Sequence, residues 1–96
     1  MITTKQRAQL RGVANTIETI FQIGKSGIAE NLIAQVYDAL SAREIIKLRV
    51  LETSPVTARE AAQQLALATG SDIVQVIGSR LVLFRRNEKE SNFNHI

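Results

Sequence analysis

A short loop with two glycines and a lysine is the stretch of this sequence best suited to binding a ligand. Residues 24–27 read Gly-Lys-Ser-Gly and lie between a strand-like run and a helical run. Glycine lets the backbone adopt a positive φ and approach a ligand closely. The helix that follows would direct its free N–H groups and positive dipole end toward the same place. Together with the charge of Lys25, these groups suit a phosphate.

This loop is not specific by itself. A Gly-x-x-Gly turn between a strand and a helix is more often a plain chain reversal, and the loop alone leaves that alternative open. A nucleotide-binding P-loop is excluded, because its motif needs a glycine five residues before Gly24, where this chain has Thr19. What remains is a nucleic-acid backbone lying across the loop, as in the Gly-x-x-Gly clamp of KH-type modules.

Length and composition describe one ordinary globular domain. The 96 residues are 45% hydrophobic and 22% charged, which allows a single core but leaves little room for a buried active site. Twelve Lys and Arg against nine Asp and Glu give a net charge of +3, which permits a polyanionic partner without requiring one. The absence of cysteine excludes disulfides and thiolate metal sites. With no membrane-length apolar run and no signal-peptide core, we expect a cytoplasmic protein.

Hydrophobic periodicity and capping signals predict three helices and four strands. A capping box at Thr3 opens the first helix, which runs to about Asn15. The later elements are a strand over 19–23, a helix over 28–42, a strand over 44–51, a helix from the capping box at Thr57 to Gly70, and strands over 72–77 and 80–85 joined by a type II′ turn. The domain therefore spans residues 1–86, and residues 87–96 are expected to form a flexible tail.

The order α-β-α-β-α-β-β predicts the fold class. The helix between the first two strands predicts a parallel pair with a right-handed crossover. Helices against a four-stranded mixed sheet then make a two-layer α/β sandwich. Within 46–50, apolar residues alternate with Lys47 and Arg49. If the helices cover the apolar side, the other side is a basic surface to which Gln22 and Gln75 contribute.

The predicted surface is poor in aromatic residues. The chain has three Phe and one Tyr, and Phe21 and Tyr37 fall at predicted core positions. Base stacking on an aromatic platform is therefore not expected. Recognition of a nucleic acid would depend on phosphates and on shape, with a strong salt dependence.

Four separated segments, in order and at familiar spacing, resemble one known family. They are Thr4-Lys5-Gln6-Arg7 with Leu10-Arg11, Ile23-Gly24-Lys25-Ser26-Gly27, Leu40 with Glu44-Ile45-Ile46-Lys47-Leu48, and Val74-Gln75-Val76-Ile77-Gly78 with Leu81-Val82-Leu83-Phe84-Arg85. On these residues the chain resembles the stand-alone bacterial YhbY-like proteins, the single-domain form of the CRM (chloroplast RNA splicing and ribosome maturation) domain. The resemblance covers about residues 2–86.

The resemblance implies a fold like the C-terminal domain of bacterial translation initiation factor three, with an added N-terminal helix. It also implies RNA binding and, for the bacterial proteins, an association with precursors of the large ribosomal subunit. The family's Gly-x-x-Gly loop falls on 24–27, and its basic positions fall on Lys25, Lys47 and Arg85. Lys5 and Arg11, cations of the first helix, and Arg49 of the basic surface are added from the sequence pattern. The predicted RNA-binding residues are then Gly24, Lys25, Ser26, Gly27, Lys5, Arg11, Lys47, Arg49 and Arg85.

One departure from the family is visible. Where the family commonly has His-x-Leu-x-Pro entering the first strand, this chain has Asn-Thr-Ile-Glu-Thr over 15–19. No contribution of that histidine or proline to RNA contact or strand entry carries over to this chain, whereas the loop is unaffected.

Catalysis is not expected, because no groups have the spacing of an acid/base or nucleophile–base set and the single histidine, His95, lies in the tail. We predict no cofactor, no metal and no membrane contact. The predicted partner is RNA, in particular ribosomal RNA or its precursor in pre-ribosomal particles, bound by a monomer. The alternatives are a general basic α/β nucleic-acid-binding protein without a ribosomal role and a protein–protein adaptor.

Overall fold

The computed structural model describes residues 1–96 and contains three helices and one four-stranded sheet. In chain order the elements are α1 (Thr4–Ala14), β1 (Thr19–Ile23), α2 (Glu30–Arg43), β2 (Ile45–Val50), α3 (Ala58–Thr69), β3 (Asp72–Ile77) and β4 (Arg80–Phe84). The predicted α/β class and element order are confirmed. No helix combines the length and the hydrophobicity that crossing a membrane requires.

The sheet has the strand order β1-β2-β4-β3. β1 and β2 are parallel, as the crossover through α2 predicts, and the other two pairs are antiparallel. The segments that follow β1 and β2 and the β3–β4 turn therefore meet at one end, where the Leu51 amide donates to the Ile23 carbonyl at 2.9 Å and the Val50 amide to the Ser79 carbonyl at 2.7 Å. We name this the loop end. The opposite end, where β2 begins after Glu44, is the Glu44 end.

The larger core lies between one face of the sheet and the helices α2 and α3. Alternation along β2 directs its apolar residues at 46, 48 and 50 into this core, as predicted. Val36 and Leu40 come from α2, and α3 contributes Leu65 with a row of buried alanines. Small side chains on α3 let the helix backbone pack close to the sheet and to α2.

Helix α1 packs on the opposite face. Leu10 and Ala14 contact a second cluster formed by Ile45, Val74, Val82 and Phe84. This cluster belongs to the half of the face nearer the Glu44 end, because Ile45 begins β2 and Phe84 ends β4. The half nearer the loop end is left uncovered. Of the basic surface predicted for this face, Gln22 and Arg49 are exposed there, whereas Lys47 and Gln75 are half-buried.

Most local signals in the sequence are confirmed. Thr3 and Thr57 form complete capping boxes. Gly70 ends α3 in the left-handed conformation at φ +66°. Gly78 has φ +57°, whereas Ser79 does not have a positive φ. A type I′ turn would need a positive φ at both residues, so the turn agrees with the predicted type II′.

Helix α2 begins two residues later than predicted, at Glu30, with Ala29 as its N-cap. Ile28 shares the helical spacing because it packs against the larger core from the preceding loop. The prediction was also wrong for Tyr37, which was placed in the core. Tyr37 is 51% exposed, and its ring lies beside the Arg85 guanidinium, whose carbon is 4.1 Å from the ring centroid.

Residues 87–96 form no helix or strand, yet they contact the domain. The Phe93 ring packs edge-on against Phe84 at a centroid distance of 5.7 Å. The Gln6 side-chain amide donates to the Ile96 carbonyl at 3.0 Å. These contacts seat the segment beside α1 and β4. The flexibility expected for it stays a prediction.

Candidate functional site

The Gly-Lys-Ser-Gly loop is a tight turn closed by a hydrogen bond from the Gly27 N–H to the Gly24 carbonyl at 3.0 Å. Lys25 and Ser26 form its exposed tip. Gly27 is buried at φ +61°, and a Cβ there would lie 3.0 Å from Cγ of Pro55. The loop therefore requires glycine at 27 for both conformation and space. A Cβ on Gly24 would meet only ordinary contacts at 3.7 Å.

The helix after the loop supplies free backbone donors, although it begins at Glu30 and not at residue 28 as the sequence predicted. Ala29 is the N-cap and offers no side-chain acceptor, whereas α1 and α3 both have capping boxes. The first N–H groups of α2 thus lack a side-chain partner. Glu30 places a negative charge in the same turn, which suits the helix dipole but would weaken the attraction for an anion there.

A row of exposed side chains crosses the sheet next to this loop. The strand register pairs Gln22 with Arg49, Arg49 with Arg80, and Arg80 with Ile77, so one residue comes from each strand. All four side chains are exposed. With strands about 4.8 Å apart, the row is about 14 Å long. These four residues are named the exposed row; Lys47, half-buried on the same face of β2, lies two residues before Arg49.

The cations of this region carry no intramolecular hydrogen bonds. The arginines whose side chains do donate hydrogen bonds are Arg7, Arg85 and Arg86. The only acidic residue within the four strands is Asp72, which pairs with Phe84 at the Glu44 end. Lys25, Arg49 and Arg80 are therefore free to meet an external anion.

Two other predicted site residues lie on α1. Lys5 and Arg11 are exposed, but α1 covers the half of the face away from the loop, so the structure does not bring them together with Lys25. At the departure from the family pattern, Asn15 is the C-cap of α1 and Thr19 pairs with Lys47. The structure has no group of three or more His, Cys, Asp or Glu side chains able to hold a metal ion.

Arg85 lies at the Glu44 end, where its guanidinium already has partners. It donates to the Thr69 carbonyl at 2.8 Å, to the Tyr37 carbonyl at 3.1 Å and to the Ser41 hydroxyl at 2.6 Å. It thereby ties the last turns of α2 and α3 together, where a cation also suits the negative dipole ends. Its assignment as an RNA contact stays a prediction, since these bonds give it a structural role.

Sequence reasoning missed Glu44 as a residue of interest. It is 2% exposed, and its φ of +68° is rare for a residue other than glycine. Its carboxylate accepts hydrogen bonds from the backbone N–H of Asn87 at 2.8 Å, the Ser91 hydroxyl at 2.7 Å and the backbone N–H of Asn92 at 2.7 Å. No local signal reveals partners this distant along the chain.

The environment of Glu44 keeps it ionised. Burial raises the pKa of this carboxyl, but the three hydrogen bonds and the positive charge of Arg86 outweigh burial and hold the pKa below its ordinary value of 4.5. Arg86 in turn donates to the Phe93 carbonyl at 2.7 Å and the Ile96 carbonyl at 3.3 Å. The charges at this end thus hold the C-terminal segment on the domain.

Comparison with known proteins gives a consistent set of relatives. The chain is 38% identical over 89 residues to the "Probable RNA-binding protein YqeI" of Bacillus subtilis, covering 93% of each chain. It is 31% identical over 88 residues to an "RNA-binding protein" of Haemophilus influenzae, covering 92% of this chain and 89% of the relative.

A solved structure is also similar to this chain. The solution structure of protein SAV1595 from Staphylococcus aureus, described as a candidate RNA-binding protein, is 47% identical and superposes with a TM-score of 0.77. The match covers 96% of this chain and 94% of that one. The model of the CRS1 / YhbY (CRM) domain matches residues 2–85, nearly the whole chain. The chain therefore belongs to the CRS1/YhbY (CRM) domain family.

Proposed function

We propose that this chain is a non-enzymatic RNA-binding protein that acts in ribosome assembly on precursors of the large subunit. The observation that carries the proposal is the set of unpaired cations at the loop end. Lys25 in the turn and Arg49 and Arg80 in the exposed row face solvent without an internal partner. The family relatives named as RNA-binding proteins support RNA as the polyanion.

The proposed contact is with the RNA backbone. No aromatic residue belongs to the exposed row, so it offers no platform on which unpaired bases could stack. Lysine and arginine instead neutralise phosphates and release counterions, which makes affinity fall steeply with salt. The glycines allow the loop backbone to approach a phosphate, and Lys25 supplies the charge beside it. We propose that the protein acts in the cytoplasm as a monomer.

The ribosomal part of the proposal rests on what the family resemblance implies, and it concerns which RNA is bound. Crosslinking in cells followed by sequencing of the bound RNA, with sedimentation of ribosomal particles in parallel, tests it. We expect crosslinks in ribosomal RNA and co-sedimentation with particles that precede the mature large subunit. Crosslinks spread over unrelated RNA or DNA would replace the proposal with general nucleic-acid binding.

Lys25→Ala tests the loop in the purified protein. Because Lys25 is exposed and makes no hydrogen bond, its removal should leave the urea midpoint unchanged. It should weaken RNA binding and reduce the slope of log K against log salt by about 1, the value for one neutralised phosphate. An unchanged affinity and slope would remove Lys25 from the interface. A wild-type affinity that does not respond to salt would favour the protein–protein adaptor instead.

A further inference from the structure

Two arginines face each other across the middle of the exposed row. Arg49 of β2 and Arg80 of β4 are directly opposite in an antiparallel pair. Like charges at such positions repel each other and destabilise the sheet. Both side chains are exposed, neither makes a hydrogen bond within the chain, and the residues that flank them across the sheet, Gln22 and Ile77, are uncharged. The fold therefore contains a repulsive pair without internal compensation.

The surroundings of the pair are those of a contact surface. Ile77, beside Arg80, is 66% exposed on the edge strand. The β3–β4 turn next to Arg80 is anchored through the Ser79 carbonyl to the end of β2. The side chains of the pair are therefore carried on a well-bonded backbone. The pair also lies beside the Gly-Lys-Ser-Gly loop, since β1 and β2 end together.

We propose that Arg49 and Arg80 form a phosphate-binding pair for the backbone of base-paired RNA, with Arg80 as a binding residue that the sequence did not indicate. The inference rests on the proposed RNA-binding function. A phosphate between two guanidinium groups neutralises the repulsion and accepts planar, paired hydrogen bonds from each. Base-paired RNA is the class that fits, because it is recognised through phosphates and shape, and the row has no aromatic side chain for unpaired bases.

Arg80→Gln tests the proposal, with Arg43→Gln as the matched control. Arg43 is an exposed arginine in the last turn of α2, at the Glu44 end and away from the exposed row. Binding to an RNA hairpin and to a single strand of the same length is measured across a salt series, together with urea unfolding. We expect Arg80→Gln to weaken hairpin binding about fivefold to tenfold at low salt, to lower the salt slope by about 1 and to keep or raise the urea midpoint.

Arg80→Lys separates charge from geometry, since lysine keeps the charge but not the planar fork. It should recover part of the affinity and all of the salt slope. Equal hairpin affinities for Arg80→Gln and Arg43→Gln would overturn the inference, as would a lowered urea midpoint with unchanged binding. Wild-type preference for the single strand would overturn base-paired RNA as the ligand. Failure of the wild type to bind any RNA would instead overturn the proposed function, and this inference with it.

Discussion

At the Glu44 end of the sheet, Glu44, Arg85 and Arg86 are hydrogen-bonded within the fold, whereas at the loop end Lys25, Arg49 and Arg80 are exposed and unpaired. Glu44 accepts three hydrogen bonds, and Arg85 and Arg86 each donate to backbone carbonyls. Arg49 and Arg80, at the other end of the same strand pair, have no such partners. Charge at the first end stabilises the fold. Charge at the second end has no partner within the fold and is available for the RNA that we propose as the ligand.

The largest effect is expected from Glu44→Gln. The glutamine amide keeps one acceptor oxygen but turns an NH₂ group toward the donors of the C-terminal segment. Hydrogen bonds to a charged acceptor are therefore lost, and the free energy of unfolding should fall by about 2–3 kcal/mol. Urea unfolding at pH 7 measures the loss, and residues 87–96 should become easier to cleave by protease. Glu90→Gln, an exposed residue of the same segment, is the matched control and should leave the midpoint unchanged.

The stability difference between wild type and Glu44→Gln is expected to depend on pH. The pKa of Glu44 is lower in the folded chain than its ordinary value of 4.5, so its ionisation stabilises the native state fully above that value. This contribution is lost as the pH falls through the lower, folded-state pKa. The difference in unfolding free energy between wild type and Glu44→Gln should therefore stay constant down to about pH 5 and shrink in stronger acid. A difference that persists unchanged in acid would contradict this account of Glu44.

A smaller effect is expected in the loop, from Gly27→Ala. Alanine at φ +61°, with its Cβ against Pro55, should cost about 1–2 kcal/mol of stability. Gly24→Ala is the matched control, because Gly24 has no positive φ and has room for a Cβ, so its urea midpoint should stay near wild type. Equal costs at the two glycines would mean that the loop geometry described here is wrong. The two glycine variants thus measure the contribution of the loop conformation to stability, whereas Lys25→Ala measures its contribution to RNA binding.

The smallest effect is expected from Arg85→Lys. Lysine keeps the charge at the helix ends but loses the fork that reaches Thr69 and Ser41 together, at a cost of about 1 kcal/mol. RNA affinity and its salt slope should be unchanged under conditions where the variant is folded. If affinity falls while the urea midpoint does not, Arg85 contacts RNA as the family resemblance implies, and the contrast between the two ends weakens.

The sequence predicted the features that depend on near neighbours. The capping boxes at Thr3 and Thr57 and the glycine at 70 each act within a few residues, and the alternation along β2 needs only the strand itself. The parallel pairing of β1 and β2 followed from one intervening helix. The positions of these elements were correct within about two residues.

The features that were missed depend on contacts between distant parts of the chain. The partners of Glu44 come from the C-terminal segment, more than 40 residues away. The pairing of Arg49 with Arg80 depends on the strand register, and the need for glycine at 27 depends on Pro55. Tyr37 lies on the apolar stripe of its helix, yet its ring is exposed and lies beside the Arg85 guanidinium. Spacing within one element cannot reveal any of these.

The most direct test of the contrast between the two ends is to map the RNA-contacting amides by NMR in a ¹⁵N-labelled chain. Titration with a base-paired RNA at low salt should shift the amide signals of residues 24–27, 47–50 and 77–81. The signals of residues 41–44 and 85–93 should stay in place, because their charges are used within the fold. Shifts concentrated at 41–44 and 85–93, with the loop end unchanged, would contradict the account.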